Sequence, residues 1–165
     1  MPKIIENLPQ RLLEEARKQC EELGYSAMTI RSVAKGCGVG VGTVYNYYPS
    51  KDALIAEVVR TDWMECMKSA MEPHETLEAA LRSGYEGLRR FLEKNERLFR
   101  DEGAMLLFSG SGSHYHDLVC GELELLVRPF CSDDFTVRFV AEAVATWVAK
   151  GVDFETLCPI LLRLV

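Results

Sequence analysis

Much that would point to other kinds of protein is missing from this 165-residue chain. No apolar stretch approaches the roughly 20 residues of a membrane span. Met1 to Gln10 lacks the basic start and apolar run of a signal peptide, so a cytoplasmic protein away from membranes is expected. The six cysteines stand apart at positions 20, 37, 66, 120, 131 and 158 without a Cys-x-x-Cys pair, the pattern of reduced, buried thiols. Metal-ligand residue types gather only at His114, His116, Asp117 and Cys120, where the spacing is loose and a solvated or capping cluster is the plainer reading. Neither metal nor cofactor is expected. The loop SGSGS at 109–113 lacks the Gly-Lys-Ser/Thr ending of a phosphate loop and a preceding strand. No Ser/His/Asp or Cys/His set has a supporting context, which excludes the familiar hydrolases. Strand patterns, internal repeats and sustained heptads are absent too.

What remains is helical periodicity. With 48% hydrophobic and 27% charged residues the chain is globular, and an all-α fold of about nine helices is predicted. The first runs from Leu8 to Leu23, with Pro9 in its tolerated first turn. A long fourth helix spans about Lys51 to Ala70 and is apolar on more than one face. Further helices are expected near 75–95, 96–108, 114–129 and 133–150, and a last one from about 153 or 156 to the end. The net charge is −6, which argues at first against a nucleic-acid partner. Its distribution reverses that. Residues 1–55 hold seven Lys+Arg against six Asp+Glu, so the acidity lies in the remainder.

The most informative stretch is Thr29 to Lys51, TIRSVAKGCGVGVGTVYNYYPSK. Thr29 is placed to cap a short helix whose apolar stripe is Ile30, Val33 and Ala34. Gly36 to Gly38 ends it, and Val39 plugs the corner. A second helix over Gly40 to Tyr47 turns Val41, Val44 and Tyr48 inward and leaves Gly42, Thr43, Tyr45, Asn46 and Tyr47 outward. Small and polar groups on the leading turn of a second helix suit reading of a DNA major groove. Pro49 stops that helix and Ser50 caps the next. Lys51 then has the wrong sign for the helix dipole unless an anion such as a phosphate answers it.

Thr29, Ile30, Val33, Ala34, Gly38, Val39, Gly42, Thr43, Val44, Tyr45, Tyr47, Tyr48, Ser50 and Lys51 together resemble the helix-turn-helix signature of the TetR family of bacterial transcription regulators. Gly40 departs from it, since the family often has serine there. The resemblance implies a DNA-binding domain over 1–50 and a helical effector-binding and dimerisation domain over 51–165. It implies double-stranded DNA as partner, contacted by Thr29, Gly40, Val41, Gly42, Thr43, Tyr45, Asn46, Tyr47 and Lys51. It also implies a homodimer through the last two helices. On that reading Phe139, Val140, Ala143, Val144, Trp147, Ile160, Leu161 and Leu164 form the interface. A pocket for an unknown small-molecule effector is implied among Trp63, Met67, Tyr85, Phe91, Phe99, Met105, Phe108, Tyr115 and Trp147, which otherwise read as ordinary core. The expected function is a repressor on a palindromic operator, released by its effector. A regulator answering to a protein partner, or to no effector, is the alternative.

Overall fold

The computed structural model describes residues 7–104 and 112–165, with the side chains of 112–115 outside that description. The expectations placed on Met105, Phe108 and Tyr115 therefore lie outside the described residues. Within them all regular structure is helical.

Helix α1, Leu8–Leu23, opens with Pro9 and closes at Gly24, as its sequence dictates. Helix α2, Ile30–Cys37, is fixed by a capping box. The Thr29 hydroxyl accepts from the Ser32 N–H at 3.0 Å, and Ser32 Oγ accepts from the Thr29 N–H at 3.1 Å. Gly38 takes the left-handed backbone at φ 68°, and the Val39 N–H bonds back to the Ala34 carbonyl at 2.9 Å. Helix α3 is shorter than expected, Val41–Tyr45. Asn46 and Tyr47 form a tight turn instead, with Tyr47 N–H on the Val44 carbonyl at 3.0 Å. The approach to Pro49 forces that early exit.

Helix α4, Lys51–Met67, is capped by Ser50, whose hydroxyl accepts from the Ala53 N–H at 3.0 Å. Helix α5, Leu77–Lys94, starts later than the sequence suggested because Thr76 serves as its cap. The helix expected over 96–108 is interrupted. Helix α6 covers only Glu96–Arg100, and Asp101 leaves it in an extended conformation. Helix α7 is Gly112–Val127, followed by a 3-10 turn over Arg128–Phe130. Helices α8, Asp134–Ala149, and α9, Phe154–Leu161, carry aspartate caps at Asp133 and Asp153. Pro159 sits inside α9, which stops short of the chain end.

Internal contacts divide the described residues into two units. The first is 7–61 together with 95–104, and α4 contributes to both. Its core holds Leu12, Ala16, Met28, Val33, Val44, Leu54 and Ile55. In the second, 62–94 with 112–165, α7 and α8 pack on each other and on α5, and α9 packs on α5. Two glycines inside α5 make this close packing possible. A Cβ at Gly84 would stand 2.8 Å from Leu126 Cδ1, and one at Gly87 would stand 3.0 Å from the Cys66 carbonyl.

Candidate nucleic-acid interface

The turn between α2 and α3 places an unusual surface on the first unit. Val44 is fully buried and anchors α3, while Tyr45 and Tyr47 remain 50% and 48% exposed. Asn46 is exposed and Thr43 half-buried. A Cβ at Gly42 would meet nothing within 4 Å, so the backbone there lies open to a close-fitting partner. Val41, expected to face inward, is only half-buried, because it lines a concavity instead. That concavity, about 600 Å³, brings Thr29 and Arg31 of the α2 start together with Val41, Tyr45, Ser50 and Lys51. Gly40 stands at the head of α3 in an extended conformation. Thus the structure brings eight of the nine sequence candidates onto α3, its flanking turns and this concavity, and places Gly40 where α3 begins.

Arg31 was not among those candidates. It is exposed on the first turn of α2, beside the Thr29 cap. Its position between two capping residues was a signal the sequence contained.

Behind this surface lies the corner between α1 and α2. Tyr25 is buried there, and its hydroxyl donates to Asp52 Oδ1 at 2.5 Å. Burial, reinforced by the Asp52 carboxylate, pushes the Tyr25 phenol well above its ordinary range. The Lys51 ammonium donates to the Tyr25 carbonyl at 2.5 Å and stands 4.0 Å above its ring centre. The same corner is gripped by the segment around α6. Arg97 donates to the carbonyls of Glu21 and Glu22 at the end of α1. Asp101 accepts from the Ser26 N–H at 3.2 Å and the Ser26 hydroxyl at 2.9 Å, and also from the N–H groups of Gly103 and Ala104. Partial burial works against ionisation of Asp101, yet these bonds hold its carboxyl below the usual range. None of this clasp was foreseen, since its partners lie some 75 positions apart.

The second unit carries the other candidates. Trp63, Met67, Tyr85 and Phe91 are buried in it. Trp63 meets Phe91 edge-on at 5.1 Å and donates from Nε1 to Glu122 at 2.6 Å. Tyr85 bonds the Val152 carbonyl at 3.1 Å and packs edge-on against Phe154. Phe99 falls in the first unit, and Trp147 faces solvent on α8. Of the interface set, Val140, Val144 and Leu161 are buried within the chain's own core. They support the surface rather than form it. Phe139, Trp147, Ile160 and Leu164 are exposed, and Phe135, which the sequence reading left out, joins them at 76% exposure. Its ring stacks on Phe139 at 6.2 Å. Ala143 lies half-buried along the same face of α8. Asp117 is paired with Arg138 at 3.2 Å, and His116 lies against the Cys120 sulfur at 3.4 Å. Among the described residues no helix is long and apolar enough to cross a membrane.

A capped helix, a glycine turn and a short second helix with an open polar face define a helix-turn-helix transcription regulator. The comparisons with known proteins agree. The model of bacterial regulatory proteins of the tetR family matches residues 12–58. The HTH-type transcriptional repressor KstR2 of Mycobacterium tuberculosis (strain ATCC 25618 / H37Rv) is 26% identical, over 84% of this chain and 77% of that one. The uncharacterized HTH-type regulator YhgD of Bacillus subtilis (strain 168) is 38% identical over 77 residues, 42% of this chain and 40% of its own length. Among solved structures, the TetR family repressor AlkX from Dietzia sp. strain DQ12-45-1b superposes with a TM-score of 0.61 at 15% identity, covering 96% of this chain and 97% of AlkX. The fatty acid degradation regulator FadR from Bacillus halodurans gives 0.58 at 19% identity, covering 98% and 96%. Residues 12–58 thus match the tetR family's DNA-binding region, and over most of its length the chain is similar to TetR family regulators.

Proposed function

We propose that this regulator is a repressor that binds an inverted-repeat operator as a homodimer and leaves it when a small apolar effector binds. The observation that carries the DNA half is the open face of the first unit. Gly42, Thr43, Asn46 and two half-exposed tyrosines stand clear of the core, with Arg31 and the capped starts of α2 and α4 beside them. Thr43 and Asn46 suit base edges, while Arg31 and the tyrosine hydroxyls suit the phosphate backbone. KstR2 is named a repressor, which favours repression over activation here.

The dimer rests on α8 and α9. An apolar strip of this kind in water calls for a covering partner, and a second copy of the same strip is the self-complementary choice. Two heads on one dimer then require two half-sites a helical repeat apart. For the effector, the buried Trp63, Phe91 and Met67 with Glu122 as polar partner give a second unit rich in soft apolar side chains. The two units share α4, and α5 runs directly into the α6 segment clasped to the α1–α2 corner. An effector that favours one arrangement of α4 and of the α5–α6 junction changes the spacing of the heads. It acts only if it binds the two arrangements with different affinity.

Titration of an operator duplex and of its isolated half-site with the purified protein tests this reading. Two chains per inverted repeat and much weaker half-site binding support it. Equal affinity for both duplexes contradicts it.

A further inference from the structure

We infer that Gln19, a buried residue of α1, is a positioning residue for DNA reading that acts through Ser32 on the Thr29 cap. This rests on the DNA-binding reading above. Arg11, Glu15 and Gln19 stand one helical turn apart in succession and share one stripe of α1. That stripe runs along α2 from its end to its start. Arg11 donates to the Cys37 carbonyl at 3.4 Å, and the Cys37 thiol donates to the Arg11 carbonyl at 3.4 Å. Glu15 lies across Gly36, where a Cβ would stand 2.5 Å from the Glu15 Cδ. Gln19, only 7% exposed, reaches the first turn of α2, where its Oε1 accepts from the Ser32 hydroxyl at 2.5 Å. The direction of these bonds is set from one end. A carboxylate only accepts hydrogen bonds, so Glu15 takes the Nε2 of Gln19, at 2.6 Å. The Gln19 carbonyl oxygen is then the group that faces Ser32. Ser32 has a single hydroxyl proton, and Gln19 Oε1 is a nearer acceptor than the Thr29 carbonyl at 2.8 Å. With that proton given inward, the Ser32 oxygen accepts from the Thr29 N–H and from the Thr29 hydroxyl, each at 3.1 Å. Thr29 is exposed and lines the concavity beside Arg31. A buried amide thus settles how the cap at the edge of the reading face is held, as a supporting shell holds a binding group.

A positioning role and a merely structural one leave different signatures. The first sharpens the fit to the correct sequence, while the second weakens every duplex alike as the head loses its fold. The test uses Gln19→Met, which fills the same buried space without either polar group. Its partner is the exchange Glu15→Gln with Gln19→Glu. That double variant keeps the net charge and rebuilds the chain in the same direction, since the amide at position 15 donates to the carboxylate at position 19, which accepts from Ser32. Each protein is titrated with a duplex selected from a random pool and with a random duplex of equal length, and hydrogen exchange is followed at the Thr29 amide. The expected result for Gln19→Met is about tenfold weaker binding to the selected duplex, the size of one lost buried hydrogen bond. Binding to the random duplex stays unchanged, the Thr29 amide exchanges faster, and the double variant recovers most of both losses. Unchanged binding to the selected duplex overturns the inference, as does equal weakening on both duplexes or a loss that the double variant fails to recover. Should selection return no preferred sequence, the operator reading fails, and the Thr29 amide still decides this point. Faster exchange in Gln19→Met that the double variant restores supports the link from Gln19 to the cap, and unchanged exchange overturns it.

Discussion

Both units leave aromatic rings in water, but of different kinds. The first exposes Tyr45 and Tyr47, each with a hydroxyl at its tip. The second exposes Phe135, Phe139 and Trp147 on α8, and Ile160 and Leu164 in and after α9, with hardly a polar atom among them. A ring with a hydroxyl suits a wet, charged partner, where it stacks or bonds without being fully dried. A strip of phenylalanine and tryptophan suits a dry contact with another protein surface. The difference supports the proposed assignment of one surface to nucleic acid and the other to a second chain, without appeal to net charge, which is acidic overall.

The largest expected effect comes from spoiling the dry strip. Phe139→Glu yields a monomer by light scattering and lowers operator affinity by at least about 100-fold, because the two heads no longer bind as one. The same change at Leu125, exposed on α7, leaves the dimer intact. If Leu125→Glu splits the dimer and Phe139→Glu does not, the interface lies elsewhere. Next comes the wet face. Asn46→Ala weakens the selected duplex by about 1–3 kcal/mol and alters base preference at one position of each half-site. An unaltered preference in a repeated selection removes Asn46 from base reading.

These two surfaces were not equally legible in the sequence. The reading head announced itself through local chemistry. Thr29, Gly38 and Ser50 do in the structure what threonine, glycine and serine do at helix ends generally. What escaped was non-local. The exit of α3 at Tyr45, the grip of Lys51 on Tyr25 and the Asp101–Ser26 clasp depend on residues brought together only by folding. In the second unit, α8 is apolar nearly all round, so periodicity could not say which face points out. Val140 and Val144 were therefore grouped with Phe139, although they serve the chain's own core. The effector residues had no pattern at all beyond being large and soft. The break at Asp101 was open to a better reading, since an aspartate whose side chain accepts from residues two and three places on ends one helix and starts another turn.

Two smaller effects sharpen the contrast between the units. Gly84→Val forces a β-branched side chain onto Leu126 and destabilises the second unit by about 1–3 kcal/mol, read as a lower unfolding midpoint in urea. A midpoint equal to wild type shows that α5 and α7 yield there at no cost. Smallest is the acid response of the clasp. The Asp101 carboxyl is held below its ordinary 3.8, so its contribution is full above that value and disappears as pH falls through the lower folded value. Asp133 and Asp153 shift the same way because they accept from Thr136 and Thr156, so the wild type alone cannot isolate the clasp. The comparison with Asp101→Asn does. The variant has a lower thermal midpoint at neutral pH and a shallower fall below about pH 4. Parallel curves for the two proteins remove Asp101 from the acid response.

The open face of α3 and its neighbours is proposed to read DNA in a two-fold arrangement. Selection of bound duplexes from a random pool by the purified protein, at near-physiological salt, tests it most directly. The expected result is enrichment of an inverted repeat whose half-sites lie about one helical turn apart. Folded, dimeric protein that enriches no sequence, or only an unpaired single site, contradicts it.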